Sequence, residues 1–149
     1  MIKNRTSEVP VARTVSRIEE LLAKGGVQSI RKFYGPTGDL AGLEFQHDGP
    51  PVVTVRLPAN VTAVAAVLRA DCRRPRKETL ARIDEQAART AWKLMQEWIE
   101  IQMSLIQMAQ AEFLQVFMPY IVDRSGISLY ARLRDGGFRM LADRPEGRG

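Results

Sequence analysis

Cysteine and histidine are almost missing from this chain, with one of each, Cys72 and His47, among 149 residues. A single cysteine excludes an intrachain disulfide and a cysteine-based zinc site. His47 stands beside Asp48 in a turn rich in glycine and proline, with no partner at ligand spacing, so neither a metal set nor a nucleophile–imidazole pair is recognisable. Glycine and proline are absent from Glu78 to Met118, which removes the usual local reasons for a helix to break there. The apolar runs are too short or too interrupted to span a bilayer. Residues 1–11 lack the apolar stretch of a signal peptide, so export is not expected and a cytoplasmic setting is. The glycine pairs at 25–26 and 136–137 follow apolar periodic segments instead of opening them, and read as helix ends rather than phosphate loops. With no cofactor motif and no catalytic constellation, the expectation is a protein without cofactor or metal, leaning away from enzymatic activity.

What is present in abundance is helix. From Glu78 to about Tyr120, Ala87, Ala91, Leu94, Trp98, Ile101, Leu105 and Met108 recur at spacings of four and three, which places them on one helix face. A second stripe follows on the neighbouring face: Trp92, Met95, Ile99, Ile106, Ala109, Phe113 and Val116, with Met103 beside them. Two stripes make an apolar arc too wide for a helix resting on a single neighbour. One unbroken helix would be roughly 60 Å long, whereas a compact domain of this size has a radius of gyration of about 15 Å. The expectation is a break between Ala109 and Glu112, then a shorter helix ending before Pro119. The second stripe, taken as Trp92, Met95, Ile99, Met103, Ile106 and Phe113, is expected to be an interface in a homo-oligomer, with a dimer favoured. A core packed within one chain is the competing reading.

Ahead of the spine the chain alternates. Ser16 and Glu19 form a capping box for a helix from Val15 to Lys24 that Gly25 and Gly26 terminate. Residues 27–34, the alternating Ala41, Leu43 and Phe45, and the alternating Val53, Val55 and Leu57 read as three strands joined by glycine- and proline-rich turns. Asn60 then caps a helix from Val61 to about Ala70, expected to lie against the sheet. The fold class is therefore α+β: an α-β-β-β-α module with a three-stranded antiparallel sheet, followed by the long helix and short C-terminal helices. Residues 1–14 are expected to be a flexible lead, 15–72 the module, 73–141 the basic junction and a helical region packing on the module, and 142–149 a frayed tail. Residues 121–126 read as a loop, Ser128 as the cap of a short helix, and Phe138, Met140 and Leu141 as a return to the core.

The formal charge is +5, and arginine outnumbers lysine by 17 to 5. A GC-rich coding sequence produces that bias whatever the function. Arginine is also the better bidentate phosphate ligand, which makes nucleic acid a reasonable partner class. The charge is concentrated where Arg69, Arg73, Arg74, Arg76 and Lys77 lead into a helix face carrying Arg82, Arg89 and Lys93. These eight residues are the candidate nucleic-acid contacts, and Trp92 next to Lys93 is a candidate base-stacking platform. Asp84 and Glu85 support the plainer reading of an exposed, ion-paired helix face. A third reading comes from the order α-β-β-β-α with Asp39 and Glu44 near the hairpin, which is also the opening of a restriction-endonuclease-like core. Gln46 stands where that motif has lysine, so nuclease chemistry is only a remote alternative.

The succession Arg17-Ile-Glu-Glu-Leu-Leu-Ala-Lys-Gly-Gly26, Arg56-Leu-Pro-Ala-Asn60, Arg89-Thr-Ala-Trp92 with Glu97-Trp98, Phe117-Met-Pro-Tyr120 and Ser128-Leu-Tyr130 resembles a group of small phage- and prophage-encoded proteins, over about residues 12–138. The resemblance carries no activity and no site residue. What it implies is context: an accessory protein acting inside a bacterial host cell. Nucleic-acid binding without strong sequence preference is the leading function. The alternative is a protein-binding or assembly module, for example an inhibitor of a host factor, working through the methionine- and glutamine-rich half of the long helix.

Overall fold

In the computed structural model, which describes residues 2–143, the first helix, α1, spans Val11–Lys24. It begins a turn earlier than Ser16 suggests: Pro10 occupies the N-cap, and no side chain caps the helix. Ser16 is therefore an exposed residue inside the helix. Val15, Ile18 and Leu22 form its buried face. The helix ends in a Schellman turn, with Gly26 at φ 90°, its N–H donating to Ala23 O, and the Val27 N–H donating to Leu22 O. Val27 is buried, so this turn also delivers the chain into the core.

Three strands follow, β1 (Ser29–Tyr34), β2 (Leu40–His47) and β3 (Val53–Arg56). A fourth, β4 (Ile121–Val122), extends the sheet where a loop was expected. The sheet is an antiparallel meander in the order β1-β2-β3-β4. Thr54 pairs with Val122 and Val55 with Ile121. Two residues of strand carry little periodic signal, so the fourth member was not visible in the sequence. Leu43, Phe45, Val55 and Leu57 line the covered face. The opposite face carries Arg31, Phe33, Glu44 and Arg56. The Phe33 ring lies against Gly42, its cross-strand partner, where a β-carbon would sit 3.8 Å from the ring.

Helix α2 spans Val61–Ala70, and Asn60 caps it by accepting from the Ala63 N–H at 3.0 Å. It does not lie on the sheet as expected. Ala65 and Leu68 pack instead against Ala87 of the long helix, α3 (Lys77–Gln107). An interior of small residues lets two helices approach closely, and Ala65 with Ala87 provides that here. The outer side of α2, with Ala66 and Val67, stays exposed.

The expected break in the spine is present. Met108 is the C-cap of α3, Ala109 adopts the left-handed conformation at φ 57°, and Ala109 N–H and Gln110 N–H donate to Ile106 O and Leu105 O. This is a Schellman turn without glycine. A new helix, α4 (Phe113–Phe117), starts with a capping box between Glu112 and Gln115. A 3-10 turn at Met118–Tyr120 leads to β4. Ser128 caps α5 (Leu129–Asp135), and a second 3-10 turn covers Arg139–Leu141. Met140 and Leu141 are exposed, so this end does not return to the core, although Phe138 packs on Tyr130. Of the expected frayed tail, residues 144–149 lie outside the described residues.

The expected roles of the two stripes on α3 are corrected by their burial. Trp92, Met95, Ile99 and Met103 are buried within the chain, together with Phe113 on α4, against α1 and the sheet. Ile106 is partly buried against the same cluster. The six residues expected at an oligomer interface are thus intrachain core. The reason is geometric: α1, the sheet and α4 together cover a wide arc of α3. Phe45 touches Phe113 and Phe117 edge-on, with centroids 5.9 and 5.4 Å apart. The first stripe is buried only at its start. Ala87 and Ala91 are enclosed, whereas Ile101 and Met108 are 59% and 70% exposed.

This division predicts opposite responses to truncation. Ile99→Ala should lower the unfolding free energy by about 2–5 kcal/mol, because it opens a cavity in the core. Ile101→Ala should change it by less than about 0.5 kcal/mol. Urea unfolding followed by tryptophan fluorescence measures both, and comparable destabilisation by the two would contradict the division.

Candidate nucleic-acid interface

The basic tract falls at the corner between α2 and α3, and the structure divides its eight candidate residues into two sets. Arg73, Arg74, Arg76, Lys77 and Arg82 are exposed, and among the described residues no ion pair engages them. Arg74 turns the corner in the left-handed region, at φ 49°. Outside glycine that conformation is uncommon and is most often met in turns and functional segments. Arg76 is the N-cap of α3 without a side-chain cap bond, so the partial positive charge of that helix end adds to the same surface.

The other three are engaged. Arg69 Nη2 donates to both carboxylate oxygens of Asp84, at 2.6 and 2.8 Å. Arg89 Nε donates to Ser7 O at 3.3 Å and Nη2 to Gln86 Oε1 at 2.7 Å. Lys93 Nζ reaches Gln96 Oε1 at 3.4 Å. The continuous stripe expected along α3 is therefore cut after Arg82. Trp92 is fully buried and cannot stack a base from solution, which corrects that expectation.

Residues 2–9, expected to be loose, are docked as a strap along α3. Asn4 takes φ 62°, and its side-chain amide donates to Glu97 Oε2 at 2.9 Å, beside the Lys3 ammonium at 3.3 Å. The Thr90 hydroxyl donates to Asn4 O at 3.0 Å. Gln86 Nε2 donates to Arg5 O and Ser7 O at 2.8 and 3.1 Å. Arg5 pairs with Asp71 at 2.7 Å. The only sequence signal for the strap was the polar run Lys3-Asn4-Arg5, which is equally typical of an unbound lead.

The remaining candidates have structural duties. Glu44 is nearly enclosed on the open sheet face and accepts from Arg56 Nε at 2.7 Å, while Arg56 Nη1 donates to Gly126 O at 3.1 Å. Asp39 accepts from the Thr37 hydroxyl in the exposed hairpin turn. Neither arrangement resembles paired carboxylates held for a metal, and among the described residues no group of three or more metal-binding side chains converges. His47 stacks on Phe113, centroids 4.0 Å apart, and its Nδ1 accepts from the Gly49 N–H. A groove of about 970 Å³ opens between α1, the β1–β2 hairpin and α3. Of the charged groups around it, Lys32 is paired with Glu19, Asp84 with Arg69, and Arg89 is bonded to Ser7. No helix of the described residues is long and apolar enough to cross a membrane. No family model, curated protein or solved structure matches the chain.

The tie to Glu97 gives the strap an acid dependence. Partial burial pulls this carboxyl upward, but hydrogen bonds from Asn4 and Lys3 and the charges of Lys3 and Lys93 outweigh it and hold it below the usual glutamate range. A lowered folded pKa contributes stability at neutral pH that is lost as pH falls through the carboxylate range. Backbone NMR signals of residues 3–7 should therefore shift toward unbound positions on acidification before the core unfolds. In Glu97→Gln that acid step should be absent.

Proposed function

We propose that the protein is a non-enzymatic, phage-type accessory protein that binds nucleic acid through the α2–α3 corner, inside a bacterial host cell, with little sequence preference. The observation that carries this reading is the charge imbalance at the corner. Between residues 71 and 82 five basic side chains are exposed and in no ion pair among the described residues, while Asp71 is already neutralised by Arg5. Only Glu78 opposes them there. A surface plainly held for solubility would be expected to mix the two signs. Guanidinium groups on a corner contact phosphates, and phosphate contacts position a protein without reading bases. Burial of Trp92 leaves the tract without an aromatic platform for stacking bases, so phosphate contacts carry the reading.

A second reading, self-association or docking to a host protein, is favoured by Ile101 of α3 and Met108 at its C-cap, which are exposed with the half-buried Leu105 between them. A second copy of this chain is the simplest partner, since two-fold pairing is the commonest homo-oligomeric arrangement.

Binding to labelled duplex and single-stranded DNA and to RNA should weaken as salt rises. Changing Arg73, Arg74, Arg76 and Arg82 together to alanine should lower the log–log salt slope on duplex DNA by about 0.9 for each phosphate that is no longer neutralised. A parent protein without salt-dependent binding, or a quadruple variant that binds as the parent does, would refute the reading. Sedimentation equilibrium tests self-association: a dimer should appear at micromolar concentration and dissociate in Ile101→Glu, and a parent that stays monomeric would remove that part of the second reading.

A further inference from the structure

We propose that the N-terminal strap is a releasable brace that holds α2 against α3 and so sets the geometry of the basic corner, which makes it a control element for that site. The proposal deepens the nucleic-acid reading and rests on it for its consequence, though not for its structural test.

Three separate contacts point to a brace. Ile2 inserts into the small cluster where α2 meets α3, against Ala65, Leu68 and Ala87. That cluster has few large side chains, so one added isoleucine is a considerable part of its apolar contact. Arg5 ties the strap to Asp71, the C-cap of α2 and the first residue of the corner. Asn4, Arg5 and Ser7 are fastened to α3 through Gln86, Arg89, Thr90 and Glu97. The strap thus touches α2, the corner and α3, and α2 packs on α3 rather than on the sheet. Residues 71–76 are suspended between two helices whose separation the strap helps to fix.

The brace is releasable because of what holds it. Its bonds are mostly partly exposed, its ion pairs lie near the surface, and its one inserted apolar side chain is only partly buried. Segments held in this way open locally at a free energy well below that of global unfolding. The main core, around Trp92 and Ile99, contains no strap residue and would survive the opening. A released strap would leave Asp71 unpaired beside the tract and free α2 to move, so the five basic groups would lose their common arrangement.

Hydrogen exchange of the parent protein and of the double variant Ile2→Ser/Asn4→Ala, read by mass spectrometry, tests this directly. Exchange in Val61–Ala70 and in residues 71–76 should rise tenfold or more, with α1 and β1–β3 as in the parent. Unchanged exchange across α2 and the corner would overturn the brace. So would a uniform rise over the whole chain, because the strap would then be part of the global fold. Thr90→Val, which removes a single tie, should show a smaller rise confined to the same segments, and a rise elsewhere would count against the proposal. In nucleic-acid titrations the double variant should bind several-fold more weakly than the parent. Equal affinity with loosened α2 would overturn the control role. A parent that binds no nucleic acid would refute the functional reading, and the exchange result would still decide the brace.

Discussion

Burial of one face of α3 is the constraint on which the rest of the structure depends. Trp92, Met95, Ile99 and Met103 occupy successive turns of a single 31-residue helix and are enclosed by α1, by Phe45 and Val55 of the sheet, and by Phe113 and Phe117 of α4. α1, the sheet and α4 are placed by their contact with that wall. α1 crosses it closely enough that a β-carbon on Gly25 would meet the Met103 methyl group at 1.8 Å. The sheet turns its apolar face to it, and α4 folds back to close the open side. The first half of the same helix forms a second, smaller core with α2. One rigid rod therefore shares its length between two cores, and the basic corner sits at the end where the smaller one lies.

The turn at Ala109 shows how a helix can stop without a breaker. Glycine normally relieves the strain of the left-handed residue in a Schellman turn. Here alanine takes that conformation, and the compensation is tertiary. Continuing the helix would carry Phe113 and Phe117 away from Phe45, whereas turning back buries both rings beside it. The two rings also pack on each other, centroids 4.7 Å apart, and Phe117 meets Trp98 edge-on. Burying two phenylalanines is worth several kcal/mol by area, more than the roughly 1–2 kcal/mol of a non-glycine left-handed residue.

Charge is handled differently at the two ends of α3. Toward the middle and the C-terminal half, acids and bases find each other across elements: Glu97 with Lys3 and Asn4, Glu100 with Arg17. At the N-terminal corner Asp71 and Asp84 are taken up by Arg5 and Arg69, outside the tract or at its margin, and between residues 71 and 82 only Glu78 is left to oppose the five basic groups. Arg69 and Arg89, which looked equivalent to Arg73 in the chain, are drawn into holding α2 and the strap to α3. Spacing alone cannot separate a guanidinium that binds its own fold from one left for a partner.

By itself the sequence determined the elements: the helix stops at Gly26 and Gly137, the Asn60 and Ser128 caps, the alternation of β2 and β3, the long helix, and the corner rich in arginine. These follow from interactions within a few residues, where backbone preference and side-chain period act. Tertiary structure alone decided which of two equally regular stripes on α3 faced inward, that α2 packed on α3 instead of on the sheet, that residues 121–122 became a strand, and that residues 2–9 docked. Each of those outcomes depends on partners far away in the chain: Phe113 and Phe117 for the stripe, Ala87 for α2, Thr54 and Val55 for β4, Gln86, Thr90 and Glu97 for the strap. The physical reason is that a periodic pattern states how wide an apolar face is, while only the shapes and positions of remote elements settle what covers it.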